Sequence, residues 1–69
     1  MGVYGSQFVD ATSVVINRSE RTAKATIDGA VVEYRSSDFQ VKQAGNKTMV
    51  SFDKIWGTQI IIADTVTYE

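Results

Sequence analysis

Thr22-Ala-Lys-Ala-Thr-Ile-Asp-Gly-Ala-Val-Val-Glu-Tyr-Arg35 consists of two alternating runs on either side of Asp28-Gly29. Asp-Gly between two such runs is a strong β-hairpin signal, because both central residues of a two-residue type I′ turn need positive φ. Asp tolerates that conformation, and Gly adopts it without a Cβ clash. We therefore predict a tight hairpin in which Ile27 lies opposite Ala30 and the register continues to both ends of the stretch.

The predicted hairpin has one apolar face. Its members are Ala23, Ala25, Ile27, Ala30, Val32 and Tyr34. The β-branched run 12–17 and the polar loop 18–21 set a second register, in which Ile16 and Val14 meet the two central alanines. Two independent turns thus agree on one core face. Because alanines leave space there, we expect the sheet to curl or another element to cover them.

A second hairpin is predicted from runs 39–43 and 48–52, since Gly45-Asn46 is a favourable two-residue turn between them. In its register Asp38 would oppose Asp53. Like charges directly opposite one another are destabilising, so we expect the ladder to end before that pair.

The C-terminal run 58–69 contains Ile60-Ile61-Ile62, which an alternating one-sided strand would not show. Before it, residues 53–57 fit neither period and end in Gly, so we expect a single helical turn there. One small core cannot take both faces of the last strand. We expect Ile61 and Ala63 to be left over and to be covered by a second copy. The alternative is that Ile61 lies under the N-terminal arm, with Phe8 or Tyr4 as its cover.

These runs predict an all-β fold with little helix. We expect a five-stranded antiparallel meander curled into a barrel or half-barrel of the SH3-like or OB-like size class. The alternative is a strongly bent open sheet that completes its core only in a dimer or higher oligomer.

A chain of 69 residues is expected to form one domain, 1–69, and we expect residues 1–8 to be a flexible arm. No long apolar run and no basic-then-apolar leader is present, so we expect a cytoplasmic protein without membrane attachment. The chain contains no Cys and no His, which leaves oligomerisation as the remaining way to support a small core.

The residue types argue against an enzyme. Without His or Cys, the commonest general base and the thiolate metal ligands are missing. Asp38 and Asp53 are the closest predicted acid pair, and acids beside a corner are ordinarily solvated loop residues. We expect no catalytic residues, no metal site and no cofactor.

A protein-binding role is the favoured hypothesis. The faces assigned to solvent carry Val15, Val31 and Met49, and the last strand adds Ile61 and Ala63. The free edge of a meander is also a template for strand addition. We expect a protein partner that includes a second copy of the chain, as in the small accessory proteins and inhibitors of phages and mobile elements.

Nucleic-acid binding is the alternative. Small β-barrels that bind single strands combine exposed aromatic residues with basic neighbours. The corresponding residues here are Lys24, Arg35, Lys42, Lys54 and Trp56. Seven Lys and Arg against eight Asp and Glu give a net charge of −1, which lacks the basic excess typical of such proteins.

Overall fold

A computed structural model of the chain describes residues 5–54 and 57–69, and all its regular elements are strands. They are β1 (Gly5–Asn17), β2 (Thr22–Ile27), β3 (Ala30–Arg35), β4 (Gln40–Ala44), β5 (Lys47–Lys54) and β6 (Gly57–Tyr68). The expected all-β class is confirmed. Over these described ranges, no helix of a length and apolarity that would cross a bilayer is found.

The strands form one sheet in the order β3-β2-β1-β6-β5-β4. The expectation of five antiparallel strands was wrong in two respects. Each of the six β-favouring runs forms its own strand, and β1 pairs with β6 in parallel from Gly5↔Gly57 to Ile16↔Tyr68. The sheet is open, with β3 and β4 as its terminal strands, so it is not a closed barrel.

The parallel pairing brings both ends of the described chain into the sheet. Residues 5–8, expected to belong to an arm, form the beginning of β1 and pair with residues 57–60. Residues 1–4 lie outside the described residues. At the other end, the Glu69 N–H donates to the Ile16 carbonyl at 2.8 Å. Turn chemistry gives no signal for this pairing, because parallel strands are never joined by a tight turn.

The first predicted hairpin is confirmed residue by residue, from Ile27↔Ala30 to Thr22↔Arg35. Asp28 has φ of 52° and Gly29 has φ of 81°, as a type I′ turn requires. The register between β1 and β2 is also as predicted, with Ile16 opposite Ala23.

The second hairpin is confirmed between β4 and β5, where Gly45 has φ of 62°. β4 begins at Gln40, so the ladder ends before the two aspartates would face each other. The expected helical turn over 53–57 is not found at its described positions. Asp53 and Lys54 continue β5, and Gly57 begins β6 opposite Lys54, while residues 55 and 56 lie outside the described part.

β1 and β6 are the two central strands. Halfway along each, the alternation of core-facing and outward-facing side chains shifts by one residue. In β1, Ala11 is buried and the next buried residues are Val14 and Ile16, so the alternation shifts by one. β6 shifts at the same level, from Ala63 to Val66, and the pairing passes directly from Ala11↔Ala63 to Ser13↔Thr65. Strands that change phase in this way turn a corner between two packed layers.

The sheet is therefore folded across β1 and β6. The first layer contains β2, β3, residues 13–17 of β1 and residues 65–68 of β6. The second layer contains β4, β5, residues 5–11 of β1 and residues 57–63 of β6. The shortest dimension of the molecule is 23 Å, which accommodates two layers.

The short link 36–39 between β3 and β4 requires this folding. Through the strand pairing, Arg35 before the link lies level with Thr22 of β2 and Asn17 of β1. Gln40 after the link lies level with Ser51 of β5, Ile60 of β6 and Phe8 of β1. In a flat sheet those ends would lie about 30 Å apart along the strands and about 24 Å apart across them. Four linking residues span only about 18 Å, so the layers must face each other.

One hydrophobic core fills the space between the layers. Its buried members are Ala11, Val14, Ile16, Ala23, Ala25, Phe39, Val50, Phe52, Ile61 and Ala63. Phe52 contacts Tyr34 of β3 at 5.6 Å between ring centroids and Phe39 of the link at 5.1 Å. The space beside the central alanines is thus filled by the folding of the sheet itself.

Candidate functional site

The edge of β3 is the candidate site, and the Asp28-Gly29 turn determines which of its backbone groups are free. A two-residue turn makes Ile27 and Ala30 a hydrogen-bonded pair, and hydrogen-bonded and non-hydrogen-bonded pairs then alternate along the hairpin. The Ser36 N–H donates to the Arg21 carbonyl at 3.1 Å, which fits this alternation one pair beyond the end of β3. Consequently Val31, together with every second residue after it, directs its N–H and C=O away from β2.

Apolar side chains accompany these free groups. Val31 is 64% exposed on the outer face of the first layer, and Val32 is 38% exposed on its inner face. β3 contains neither Lys nor Pro, which commonly protect an edge strand from pairing, and its charged residues, Glu33 and Arg35, lie toward its C-terminal end. β3 therefore offers unpaired backbone groups beside uncovered valines.

The edge of β4 is different. Its sequence, Gln-Val-Lys-Gln-Ala from Gln40 to Ala44, has Lys42 at its centre, with Gln40 on the same outer face. Gln40 Nε2 donates to Asp38 Oδ2 at 3.0 Å, and Gln43 Nε2 donates to the Gly45 carbonyl at 3.3 Å. β4 has the features that prevent strand addition.

The five residues predicted from the sequence as a protein interface do not form one surface. Val31 is exposed, and Val15 and Met49 are half-buried on the outer faces of different layers. Ile61 and Ala63 are fully buried within the single chain, so they cannot contact a partner. They face inward because β6 is a central strand of the folded sheet.

Ile60 and Ile62, rather than Ile61, lie on the outer face of β6, where both are half-buried. In the register, Ile60 lies beside Phe8, which is 63% exposed. Phe8 was not identified as an exposed apolar residue of the sheet, because the first strand was predicted to begin at Thr12 whereas β1 begins at Gly5. Val32 was also missed, because its alternation with Tyr34 assigned it to the core face.

Asp38 and Asp53 line one shallow depression at the corner between the layers, with a volume of about 190 Å³. Each carboxylate accepts a hydrogen bond from a neighbour, Gln40 Nε2 for Asp38 and, at 3.3 Å, Thr58 Oγ1 for Asp53. Among the described residues, no group of three or more His, Cys, Asp or Glu side chains is arranged to hold a metal ion. The structure thus brings the two acids to one place, and no other described residue that lines the depression is ionisable.

The basic residues considered for nucleic-acid binding are divided between the layers. Lys24 and Arg35 belong to the first layer, where Lys24 lies opposite Glu33. Lys42 and Lys54 belong to the second layer, and Lys54 Nζ donates to Gln7 Oε1 at 3.0 Å. Trp56 lies outside the described residues.

No protein family, curated protein or solved structure matches the chain.

Proposed function

We propose that the chain is a non-enzymatic protein-binding module that adds an extended segment of its partner to the free edge of β3. The observation that supports this proposal is the combination of a free strand edge with exposed Val31 and Val32. Strand addition of this kind gains affinity from main-chain hydrogen bonds and specificity from alternate side chains.

The available contacts suit a modest, reversible interaction. Val31, Glu33 and Arg35 each offer one N–H and one C=O, and a backbone hydrogen bond contributes about 0.5–1.5 kcal/mol net. Full burial of one valine adds about 1.5–3 kcal/mol. Because association costs several kcal/mol in lost freedom, this short strand fits a partner that is itself extended and carries apolar side chains at alternate positions.

A proline substitution tests the site directly. Glu33→Pro removes an outward N–H from β3, and Pro is tolerated on edge strands when its missing N–H faces solvent. Gln43→Pro is the matched control, since the same alternation directs the Gln43 N–H away from β5 on the other edge. Circular dichroism and thermal melting establish that both variants fold.

The probe is a fluorescently labelled peptide of alternating Thr and Val residues, titrated and followed by anisotropy. Wild type and Gln43→Pro should bind it, whereas Glu33→Pro should not. Equal binding by all three proteins would contradict the proposal. A single-stranded oligonucleotide that binds with an affinity falling steeply with salt, equally in all three, would instead favour the nucleic-acid alternative.

A further inference from the structure

We infer that the outer face of the second layer is a contact between two copies of the chain. The copies pack face to face about a two-fold axis that runs along the strands, between β5 and β6. This face is separate from the β3 edge, so the contact does not depend on the proposed function.

The outer face of the second layer carries an apolar patch, which we call the outer patch. Its four adjoining members are Phe8 of β1, Ile60 and Ile62 of β6, and Met49 of β5. Phe8 is 63% exposed and the other three are half-buried. The opposite side of the same strands is already covered by the first layer. A sheet face that meets only water is ordinarily polar, so the outer patch is suited to a contact.

The outer face of the first layer differs in this respect. There Val15 is the half-buried apolar residue, and it lies between Lys24 of β2 and Thr67 of β6. A single valine among polar neighbours is ordinary for a solvated face. The second layer therefore has the more apolar outer face.

The charges around the outer patch are ordered across the strands. The row that crosses the patch from β1 to β4 reads Asp10, Ile62, Met49 and Lys42. An acid lies at one end of this row and a lysine at the other. The next row repeats the order, since Lys47 Nζ of β5 lies 3.4 Å from Asp64 Oδ1 of β6. A half-turn about an axis between β5 and β6 exchanges the two sides, so this face is complementary to itself.

The axis between β5 and β6 combines opposite charges with apolar contact. It places Asp10 over the second copy's Lys42, and the reverse pair forms at the other end of the row. Between these pairs, Ile62 meets the second copy's Met49. The neighbouring row places Phe8 over Gln40 and Ile60 over Ser51, so apolar side chains meet apolar or neutral ones.

Other axes along the strands oppose like charges. An axis along β6 places Asp64 over the second copy's Asp64, and an axis along β5 does the same with Lys47. Like charges juxtaposed across an interface are costly. The self-complementary order of charges is therefore used only by an axis between these two strands.

Axes that run across the strands within the outer patch are also unfavourable. An axis through Asp10 opposes the two Asp10 carboxylates, and one between Asp10 and Phe8 lays that carboxylate on the second copy's Phe8 ring. An axis through Phe8 places Met49 over the second copy's Asp53. Each arrangement sets a carboxylate against a like charge or an apolar group, which costs free energy.

The area of the face suits a reversible dimer. With strands about 4.8 Å apart and alternate residues about 6.7 Å apart, four strands and four rows of outward residues cover about 500 Å² in each copy. The total of about 1,000 Å² is at the lower limit for a specific contact. Exposed ion pairs add little affinity, so the outer patch supplies the attraction and the charges set the orientation.

Exchange of the two charges tests the contact. Asp10→Lys places lysines opposite each other at both ends of the row, and Lys42→Asp places aspartates there. Each single variant should weaken dimerisation at least about tenfold. The double variant Asp10→Lys/Lys42→Asp restores opposite charges and should dimerise as wild type does. Glu20→Lys is the matched control, because it makes the same change in net charge as Asp10→Lys at an exposed position of loop 18–21.

The mass of each variant is measured by light scattering from micromolar to millimolar concentration. Wild type should approach twice its mass of 7.6 kDa, and Glu20→Lys and the double variant should follow the same curve. The single variants should need at least about tenfold higher concentrations. Circular dichroism and thermal melting establish that every variant folds.

A wild type that stays monomeric over the whole range overturns the inference. Dimers that persist in both single variants overturn it by placing the contact elsewhere, and a double variant as weak as the single ones overturns the proposed orientation.

The Thr-Val peptide separates this contact from the proposed function. Asp10→Lys and the double variant should bind the peptide as wild type does, since β3 is unchanged in them. Glu33→Pro should lose the peptide and keep the dimer. Loss of both in Glu33→Pro would show that the copies meet at β3, which overturns the contact through the outer patch.

Discussion

The two layers of the sheet contribute opposite side-chain sizes to one core. At its centre the first layer presents Ala23 and Ala25, which are completely buried. The second layer and the link before it present Phe39 and Phe52. The aromatic rings supply volume and the alanines supply space, so the layers are complementary at the corner where Tyr34 meets Phe52.

That complementarity is local, and it explains the difference between the two free edges. Near the corner, β3 is covered through Tyr34, but two residues earlier Val32 remains 38% exposed. β4 begins beside the aromatic cluster and carries polar residues beyond it. The layer with the small core residues therefore also has the edge with exposed valines.

Ala25→Glu should have the largest effect, because it places a charge where the two layers meet. Ala25 has no exposed surface, and burial of an unpaired carboxylate costs several kcal/mol. A core of this size supplies only about 3–5 kcal/mol, so we expect the variant to be unfolded. Lys24→Glu, one residue away on the exposed face, is the control: it places a carboxylate opposite the exposed Glu33, which costs only about 0.2–1 kcal/mol, so it should melt only slightly below wild type. Similar melting of both variants would show that the assigned faces are wrong.

Phe52→Ala tests the contribution of the second layer. Removing this ring leaves a cavity beside Tyr34 and Phe39, and such substitutions cost about 3–5 kcal/mol. Phe8→Ala is the matched control, because Phe8 is 63% exposed and should change the free energy of unfolding by less than about 0.5 kcal/mol. Urea denaturation measures both. A small effect for Phe52 would mean that the layers are not held together by the aromatic cluster.

Gly57→Ala tests the parallel junction that the two layers share. Gly57 has φ of 109°, and a Cβ atom there would collide with the Gly5 carbonyl oxygen. We expect a loss of about 1–3 kcal/mol from backbone strain. A Cβ added at Gly5, the other member of the pair, meets open space, so Gly5→Ala should be nearly neutral in the same urea titration. Equal costs would argue against the β1–β6 register.

Much of the fold could be predicted from the sequence because two-residue turns fix registers locally. Asp28-Gly29 and Gly45-Asn46 each gave a complete hairpin. The pairing of β1 with β6 could not be predicted in this way, since it joins residues about fifty positions apart without a turn. The sheet folds at Thr12 and Asp64. Because this folding depends on the pairing of β1 with β6, it could not be predicted from the sequence either.

The candidate site was only partly predictable for the same reason. Alternation correctly placed Val31 on an exposed face, and a free edge was expected in any open meander. Alternation also assigned Val32 to the core, and it predicted that Ile61 would lie outside the core of a single chain. Alternation distinguishes two faces, but whether a face is covered depends on which strands are central. β6 is central and β3 is terminal, so Ile61 is buried and Val32 is not.

The smallest effect on stability is expected from exchanging the character of the two edges. Val31 and Lys42 are each exposed on the outer face of a terminal strand. Surface substitutions of this kind usually change the free energy of unfolding by less than about 0.5 kcal/mol. Val31→Lys and Lys42→Val should therefore both melt near wild type in dilute solution. Their binding of the labelled Thr-Val peptide should differ, because a Lys on a terminal strand hinders strand addition and its removal permits it. By anisotropy, Val31→Lys should bind the peptide more weakly than wild type, whereas Lys42→Val should bind it at both edges. If Val31→Lys binds the peptide as wild type does, the difference between the edges has no role in binding.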